Sequence, residues 1–490
     1  MRSSATQARD RPDPGGIPIR TILLGVAGVM LVALGGTGAG ATLKRDPLIT
    51  DTSLSWIRYG HGHDLATAVL YIGLGVVIWS WIRLGRMVRN GHVGSAAVLT
   101  AIVAWTLPLL FAPPLFSKDI YSYLAQGQIA LNGLDPYSVG PAVLQSPLSD
   151  NVSWVWQNTP APYGPLFLML AEGVVWSTGA SVIGGVVVMR FVLACGLFLL
   201  CWALPGLTRH LGGRPATALW VAAANPLMLV HLIGGAHNDL LMVGLLAAGV
   251  LLVLDRRHVL GLAVVTLAFA VKATAAVALP FLILVWARRL HGSRTAQLGK
   301  AITGGVAVFV AVFAATTLVS GLDLGWIPAL SSSSTIVNWL SLPSAVGDFA
   351  HTVVDSFVRV EPGWFMTIAR GLGALLLVYI AWRQWWAAQD GGPDAVRRAA
   401  ITMLAVALLS PATLPWYFSW PLVMAAAFHW SGTALKAGAF FSVWMLLVTY
   451  PNGDTALYSW GYLACTALVS ALACASLTRP DPLKLSSRYT

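Results

Sequence analysis

Apolar runs alternate with short polar breaks along almost the whole chain. Each run is long enough, or nearly so, to cross a hydrocarbon core, which takes about 20 residues as a helix. The pattern predicts spans at about 19–41, 64–83, 94–112, 182–206, 215–233, 239–254, 259–271, 274–287, 301–320, 364–386, 399–415, 417–430, 435–450 and 456–477. That is an all-α polytopic membrane protein with about 13–14 transmembrane helices, carried by one membrane domain over residues 19–478. The polar, Pro/Arg-rich stretch 1–18 reads as a disordered tail, and 479–490 as a second tail.

Three stretches do not fit simple crossings. The run 163–178 is apolar, yet counting it as a crossing places Arg209 and Arg214 on the far side, so it reads as re-entrant or interfacial. The runs 259–287 and 399–430 are too long for one helix and too short for two full ones. Lys272 interrupts the first, and Pro411 to Tyr417 the second. Short hairpins with broken tips satisfy both, because irregular backbone at membrane depth must line protein or a polar cavity.

Composition sharpens this picture. The 490 residues are 57% hydrophobic and only 10% charged, where a soluble domain carries about 25% charged residues. The first apolar run is too long for a signal peptide and lacks a cleavage pattern. The formal charge of +11 is distributed as topology. Most of the thirty lysines and arginines fall on one side of the predicted spans. Lys44, Arg45, Arg58, Lys118 and Arg359 fall on the other, while Arg190, Lys272 and Arg370 lie within spans. The positive-inside rule makes the first side cytoplasmic, which puts both termini inside at a plasma membrane. Two large loops, 113–162 and 321–363, are then extracytoplasmic and carry, with the shorter outer turns, most of the acidic residues. This asymmetry excludes a nucleic-acid footprint. The four cysteines sit in apolar runs without metal-ligand spacing and read as buried, inert thiols.

The chemistry clusters at span ends. Phe116-Ser117-Lys118-Asp119 follows the third span and opens a short helix to about Leu131. On it Asp119, Tyr123 and Gln126 share one face, and Ile120, Leu124 and Leu131 the other. Asp119 reads either as a helix N-cap or as a general base for a hydroxyl acceptor. Lys118 reads as a counter-charge for phosphate or as a snorkelling side chain. Pro162-Tyr163-Gly164-Pro165 opens the re-entrant segment, with Gly164 permitting close approach. Gly234-Gly235-Ala236-His237-Asn238-Asp239 packs polar groups at a bilayer edge, for binding or for helix capping. Lys272 suits a phosphate, or a structural ion pair with an outer carboxylate. Trp416 and Tyr417 suit interfacial anchoring or stacking on a sugar. No Walker loop, dinucleotide fingerprint, HExxH or GxSxG context is present. Any donor substrate must therefore arrive by membrane.

Lys118-Asp119-Ile120-Tyr121-Ser122-Tyr123-Leu124-Ala125-Gln126-Gly127, Gly133-Leu134-Asp135-Pro136-Tyr137 and Gly235-Ala236-His237-Asn238-Asp239 resemble the actinobacterial polyprenol-phosphate-mannose-dependent α-1,6-mannosyltransferases of the MptA/MptB type. Tyr163-Gly164-Pro165, Val271-Lys272 and Pro415-Trp416-Tyr417 extend the resemblance from about residue 20 to 478. It implies a GT-C-type fold, a polyprenyl-phosphate-mannose donor, a mannan or lipomannan glycolipid acceptor and an extracytoplasmic site with Asp119 as base. Within it, Lys272, Lys118 and Arg359 are candidates for the donor phosphate. Tyr121, Tyr123, Gln126, Tyr163, His237, Asn238, Asp239, Trp416 and Tyr417 are candidates for sugar and acceptor. The expected reaction inverts the anomeric centre and forms α-1,6 linkages. It requires no cofactor, and the sequence leaves room for a divalent metal on Asp119 and Asp239. The alternatives are a related enzyme with another polyprenyl-phosphate sugar, and a secondary transporter or lipid flippase. The latter calls for internal repeats, and none is evident.

Overall fold

The computed structural model describes residues 16–331 and 336–479. The expected tails fall outside these residues except at their inner ends. Among the described residues there is no strand, only two isolated bridges, Gly212 with Phe428 and Thr449 with Thr455.

Helices follow the apolar runs. Helices α1 (Ile19–Ala39), α2 (Gly60–Arg89) and α3 (Ser95–Leu110) lead into a long connection that carries α4 (Asp119–Leu131) and α5 (Pro147–Asp150). Helix α6 (Pro165–Thr178) ends on Gly179 at φ +58° and turns into α7 (Val182–Leu211). Helix α8 (Pro215–Val221) continues through a π-helical stretch, Leu227–Gly234, into α9 (Asp239–Leu254) and α10 (His258–Val271). A 3-10 stretch, Ala273–Ala278, precedes α11 (Leu279–Ala287) and α12 (Arg294–Ser320). The second connection holds α13 (Trp326–Ala329) and α14 (Leu342–Asp355). Then come α15 (Pro362–Ala387), α16 (Gly392–Leu409), a 3-10 turn at Pro415–Phe418, α17 (Ser419–Ala426), α18 (Gly432–Leu447) and α19 (Trp460–Ser476).

Five of these helices, α1, α2, α7, α12 and α15, are long and apolar enough to cross a membrane, and seven further apolar segments are shorter. The protein is an all-α polytopic membrane protein. Burial sorts the helices. Helix α9 is apolar all round and buried over nearly its whole length, the mark of a central helix. Helices α12 and α15 bury almost nothing and form the periphery. Against α9 the backbone of α7 approaches as closely as backbones can. A Cβ on Gly196 would lie 2.2 Å from the Leu240 carbonyl oxygen, and one on Gly244 2.2 Å from the Gly196 oxygen. Small residues at a crossing allow this approach in place of a hydrophobic driving force.

Both expected breaks are present. Helix α10 stops at Val271 and Lys272 is extended, φ −150° and ψ 129°. Helix α16 stops at Leu409, and Pro411 and Pro415 bar its continuation. The cysteines depart from expectation. None is buried; Cys195 and Cys465 are exposed and Cys201 and Cys474 half-exposed, because they occupy outward helix faces rather than the core.

Candidate active site

The site is built where the α3–α4 connection, the 234–239 turn and the 411–418 break converge. Phe116 adopts the left-handed conformation, φ +61°, and its N–H donates to the Pro451 carbonyl at 2.7 Å. The Leu115 N–H donates to the Gly234 carbonyl at 3.2 Å. These two bonds fix the entry to α4. There the first helical residue is Asp119, and its own N–H is met by the Ser117 hydroxyl at 3.1 Å. The first N–H of α4 is thus met by Ser117, the N-cap residue Lys118 makes no side-chain capping bond, and the Asp119 carboxylate makes none either among the described residues. It lies instead with Oδ2 3.5 Å from Nδ1 of His237. Its side chain keeps 19% of its surface exposed, while His237 is wholly buried.

Burial works to raise the pKa of Asp119, but the His237 ring, the Lys272 ammonium and the Ser117 hydroxyl outweigh it, so the carboxyl lies below its ordinary value. Asp119 is an anion at the start of a helix, where the backbone dipole also favours negative charge. His237 is held by stacking: its ring lies 3.7 Å from that of Trp416, centroid to centroid, at 19°. Neither ring nitrogen has a hydrogen-bond partner among the described residues, and neither side-chain atom of Asn238 has one. Gln126 Oε1 and Ser122 Oγ are likewise buried and unpartnered. Asn238 precedes α9 without capping it. Such a concentration of unsatisfied polar atoms departs from the usual satisfaction of buried groups and favours a site that receives polar ligand atoms.

Asp239 takes another set of partners. Lys272 Nζ lies 2.9 and 2.8 Å from its two carboxylate oxygens, and Trp420 Nε1 donates to Oδ1 at 2.6 Å. The ammonium also sits over the rings of Tyr417 and Trp420, at 4.9 and 5.5 Å. Those two rings stack at 4.4 Å. The lysine considered for phosphate is therefore already paired, which is the structural ion pair that the sequence reading kept as its alternative. Among the described residues no group of three metal-ligating side chains is assembled.

Tyr123, Tyr163 and Phe167 meet edge to face, with centroids 4.9–5.5 Å apart. Burial holds the Tyr123 and Tyr163 phenols well above their ordinary pKa, so both stay neutral. Gly164 lets this cluster reach the tip of α10: its N–H donates to the Val271 carbonyl at 3.3 Å, and a Cβ there would lie 2.3 Å from the Ala270 oxygen.

Asp119, Lys118 and Trp416 open on a cleft of about 410 Å³ whose other walls are Trp154–Gln157 and Asn452–Asp454. Two expected residues lie elsewhere. Tyr121 turns away from this cleft into a smaller pocket with Asp46 and Arg58, where its hydroxyl donates to the Ala41 carbonyl at 2.8 Å. Arg359 is exposed and does not line the cleft. Of the remaining candidates, Tyr123, Gln126, His237, Asn238 and Asp239 are buried, and Tyr163, Lys272 and Tyr417 are half-buried.

Sequence reasoning missed three contributors. Arg190 of α7 is fully buried and donates only to carbonyls: Leu110 at 3.3 Å, Ala112, Pro113 at 3.1 Å, Ile233 at 3.0 Å and Gly234 at 2.5 Å. It thereby ties the segment before Asp119 to the segment before His237. Its place inside an apolar run was the available signal. Trp420 has no such signal, being one of twenty-one tryptophans. The 452–454 turn carries one acidic residue among many.

Known proteins share this arrangement of sequence. A family model described as "Alpha-(1->6)-mannopyranosyltransferase, N-terminal domain" matches residues 22–288, and one described as "MptB C-terminal domain" matches 343–479. Alpha-(1->6)-mannopyranosyltransferase A of Mycobacterium tuberculosis is 41% identical over 91% of this chain and 87% of its own length. The A protein of Corynebacterium glutamicum is 32% identical over 90% and 95%. The B protein of C. glutamicum is 28% identical over 83% and 72%. No solved structure matches significantly. The chain belongs to the alpha-(1->6)-mannopyranosyltransferase family and is a membrane-embedded mannosyltransferase.

Proposed function

We propose that this protein transfers mannose from polyprenyl-phosphate-mannose to a mannan or lipomannan acceptor, with Asp119 as general base. The observation that carries this reading is the Asp119 carboxylate, free of capping duty, ionised, and partly exposed at the floor of a cleft. In the proposed step, a hydroxyl oxygen of the acceptor attacks the anomeric carbon of the β-linked donor. The bond from that carbon to the phosphate oxygen breaks, and the lipid phosphate leaves with the bonding pair. Asp119 takes the hydroxyl proton. Direct displacement inverts the centre and yields an α-1,6 linkage. His237 orients Asp119 and is itself kept in place by Trp416. Lys118, on the cleft wall, offsets the phosphate charge. Lys272 supports the site through its ion pair with Asp239. The unpartnered atoms of Asn238, Ser122 and Gln126 supply hydrogen bonds to the sugar. The scheme requires no metal and leaves room for a divalent one.

The topology follows the positive-inside rule: both termini are cytoplasmic and the cleft opens at the extracytoplasmic face, where a lipid-borne donor and a glycolipid acceptor meet. The naming of the relatives supports transfer over transport. The test uses purified protein in lipid, with polyprenyl-phosphate-mannose and a short α-1,6-mannoside. Wild type transfers mannose and Asp119→Asn, folded to the same degree, loses about 10²–10⁴ in rate. Equal transfer by both removes Asp119 from the chemistry. Movement of donor across the bilayer without transfer removes the enzyme reading.

A further inference from the structure

The cleft above Asp119 has a wall that the proposed chemistry does not use. It is made by Trp154 and Trp156, in a 3-10 turn after α5, and by the Asn452–Asp454 turn between α18 and α19. Trp154 is 85% exposed and makes no ring contact with another aromatic side chain among the described residues. On the same cleft Asn452 Nδ2 donates to Asp454 Oδ2 at 2.7 Å, and the Asp454 N–H donates to Asn452 Oδ1 at 3.1 Å. These bonds close the turn, and among the described residues Asp454 Oδ1 has no hydrogen-bond partner. Phe116 ties the Asn452–Asp454 turn to the α4 entry through Pro451, so backbone hydrogen bonding places this turn near Asp119.

The chemistry of the wall selects its ligand. A flat indole beside fixed amide and carboxylate oxygens matches a pyranose, which has an apolar C–H face and a hydroxyl edge. Away from Asp119 the lining has one charge of each sign, Lys44 and Asp454, which favours a neutral ligand over a nucleotide or polyphosphate. The volume falls within the range of ligand sites, about 300–1,000 Å³.

We propose that Trp154, Asn452 and Asp454 form an acceptor subsite that binds a mannan residue next to the one being extended, with a pyranose face on the Trp154 indole. This rests on the mannosyltransferase reading above and names where its acceptor lies. Two measurements separate the two claims. The first is direct binding of α-1,6-mannotetraose to the full-length protein in lipid nanodiscs, read by saturation-transfer NMR. Wild type binds, Trp154→Ala binds about tenfold more weakly, and Trp154→Phe recovers most of the loss. The second is transfer kinetics. Trp154→Ala raises the KM for mannotetraose about tenfold, keeps kcat at saturation and leaves the donor KM unchanged, with a smaller effect on mannobiose. No binding by wild type, equal binding by Trp154→Ala, or an equal rise in donor KM overturns the subsite. Binding that depends on Trp154 without any transfer supports the subsite and overturns the proposed reaction.

Discussion

Lys272 and Asp239 form a bidentate ion pair, 2.8 and 2.9 Å, between the broken tip of one hairpin and the first residue of the central helix α9. Asp239 is wholly buried and Lys272 only 15% exposed. A buried charge that loses its partner is costly, about 3–5 kcal/mol, whereas removal of both charges is often tolerated. Lys272→Met and Asp239→Leu are therefore each expected to lower stability by about that amount, and the double variant to recover most of it. Thermal unfolding in detergent gives the order. A Lys272→Met protein as stable as wild type, with only a raised donor KM, assigns Lys272 to phosphate instead.

Asp119 and His237 govern the response to acid. Burial alone would raise the Asp119 pKa; His237, Lys272 and Ser117 together bring it below the ordinary value. Asp119 therefore keeps its charge to lower pH than an ordinary carboxyl, and the acid limb of kcat/KM follows its protonation. A carboxyl with a depressed folded pKa contributes stability above its unfolded pKa, and that contribution is lost as pH falls through the folded value. His237→Phe preserves a ring against Trp416 and removes both nitrogens. With burial then less opposed, the acid limb moves to higher pH. The pH–rate profiles of the two proteins decide this, and an unmoved limb separates His237 from Asp119 energetically.

Arg190 holds five carbonyls across two segments. Arg190→Met leaves these acceptors buried, at about 1–3 kcal/mol for each one left unpaired. Arg190→Lys keeps the charge but offers three donors without the planar fork. Both variants are expected to unfold at lower temperature than wild type. In Arg190→Lys, kcat falls while the acceptor KM changes little, because the entry to α4 loosens but the cleft wall does not. Equal stability and equal kcat in all three proteins rule out a positioning role.

Gly164 has no room for a methyl group. Gly164→Ala places a carbon 2.3 Å from a backbone oxygen of α10, which no side-chain rotation relieves. Overpacking of this kind costs about 1–3 kcal/mol. The expected result is a lower unfolding temperature together with weaker transfer, since the same contact seats Tyr163 beside Tyr123. Ordinary stability and activity show that α6 shifts freely against α10.

Much of the fold was legible because a membrane helix is specified locally. Apolar length marked the spanning helices, Pro411 and Pro415 marked one break, and a lysine inside an apolar run marked the other, while α5, α13 and α14 in the two connections carried no such mark. Helix α4 was legible to its last residue. Its periodicity set Asp119, Tyr123 and Gln126 apart from Ile120, Leu124 and Leu131, but Tyr121, expected among the sugar and acceptor residues, points into another pocket. The cysteines were misjudged for a related reason. An apolar run shows that a residue is in a helix but not which face meets lipid.

Pairing was not legible. Asp119 and His237 stand on separate segments, as do Asp239 and Lys272, and nothing local to either motif states that they touch. Nor does local sequence show that the Ser117 hydroxyl meets the first N–H of α4, that Trp420 rather than another tryptophan binds Asp239, or that Arg190 joins α3 to the π-helical stretch. Helix existence follows from backbone hydrogen bonds closed within a few residues and from the match between side chains and lipid, both readable along the chain. The site depends on how α4, α9 and the two broken hairpins pack. That is settled by backbone approaches such as Gly196 to Gly244 and Gly164 to Ala270, which join residues far apart in sequence.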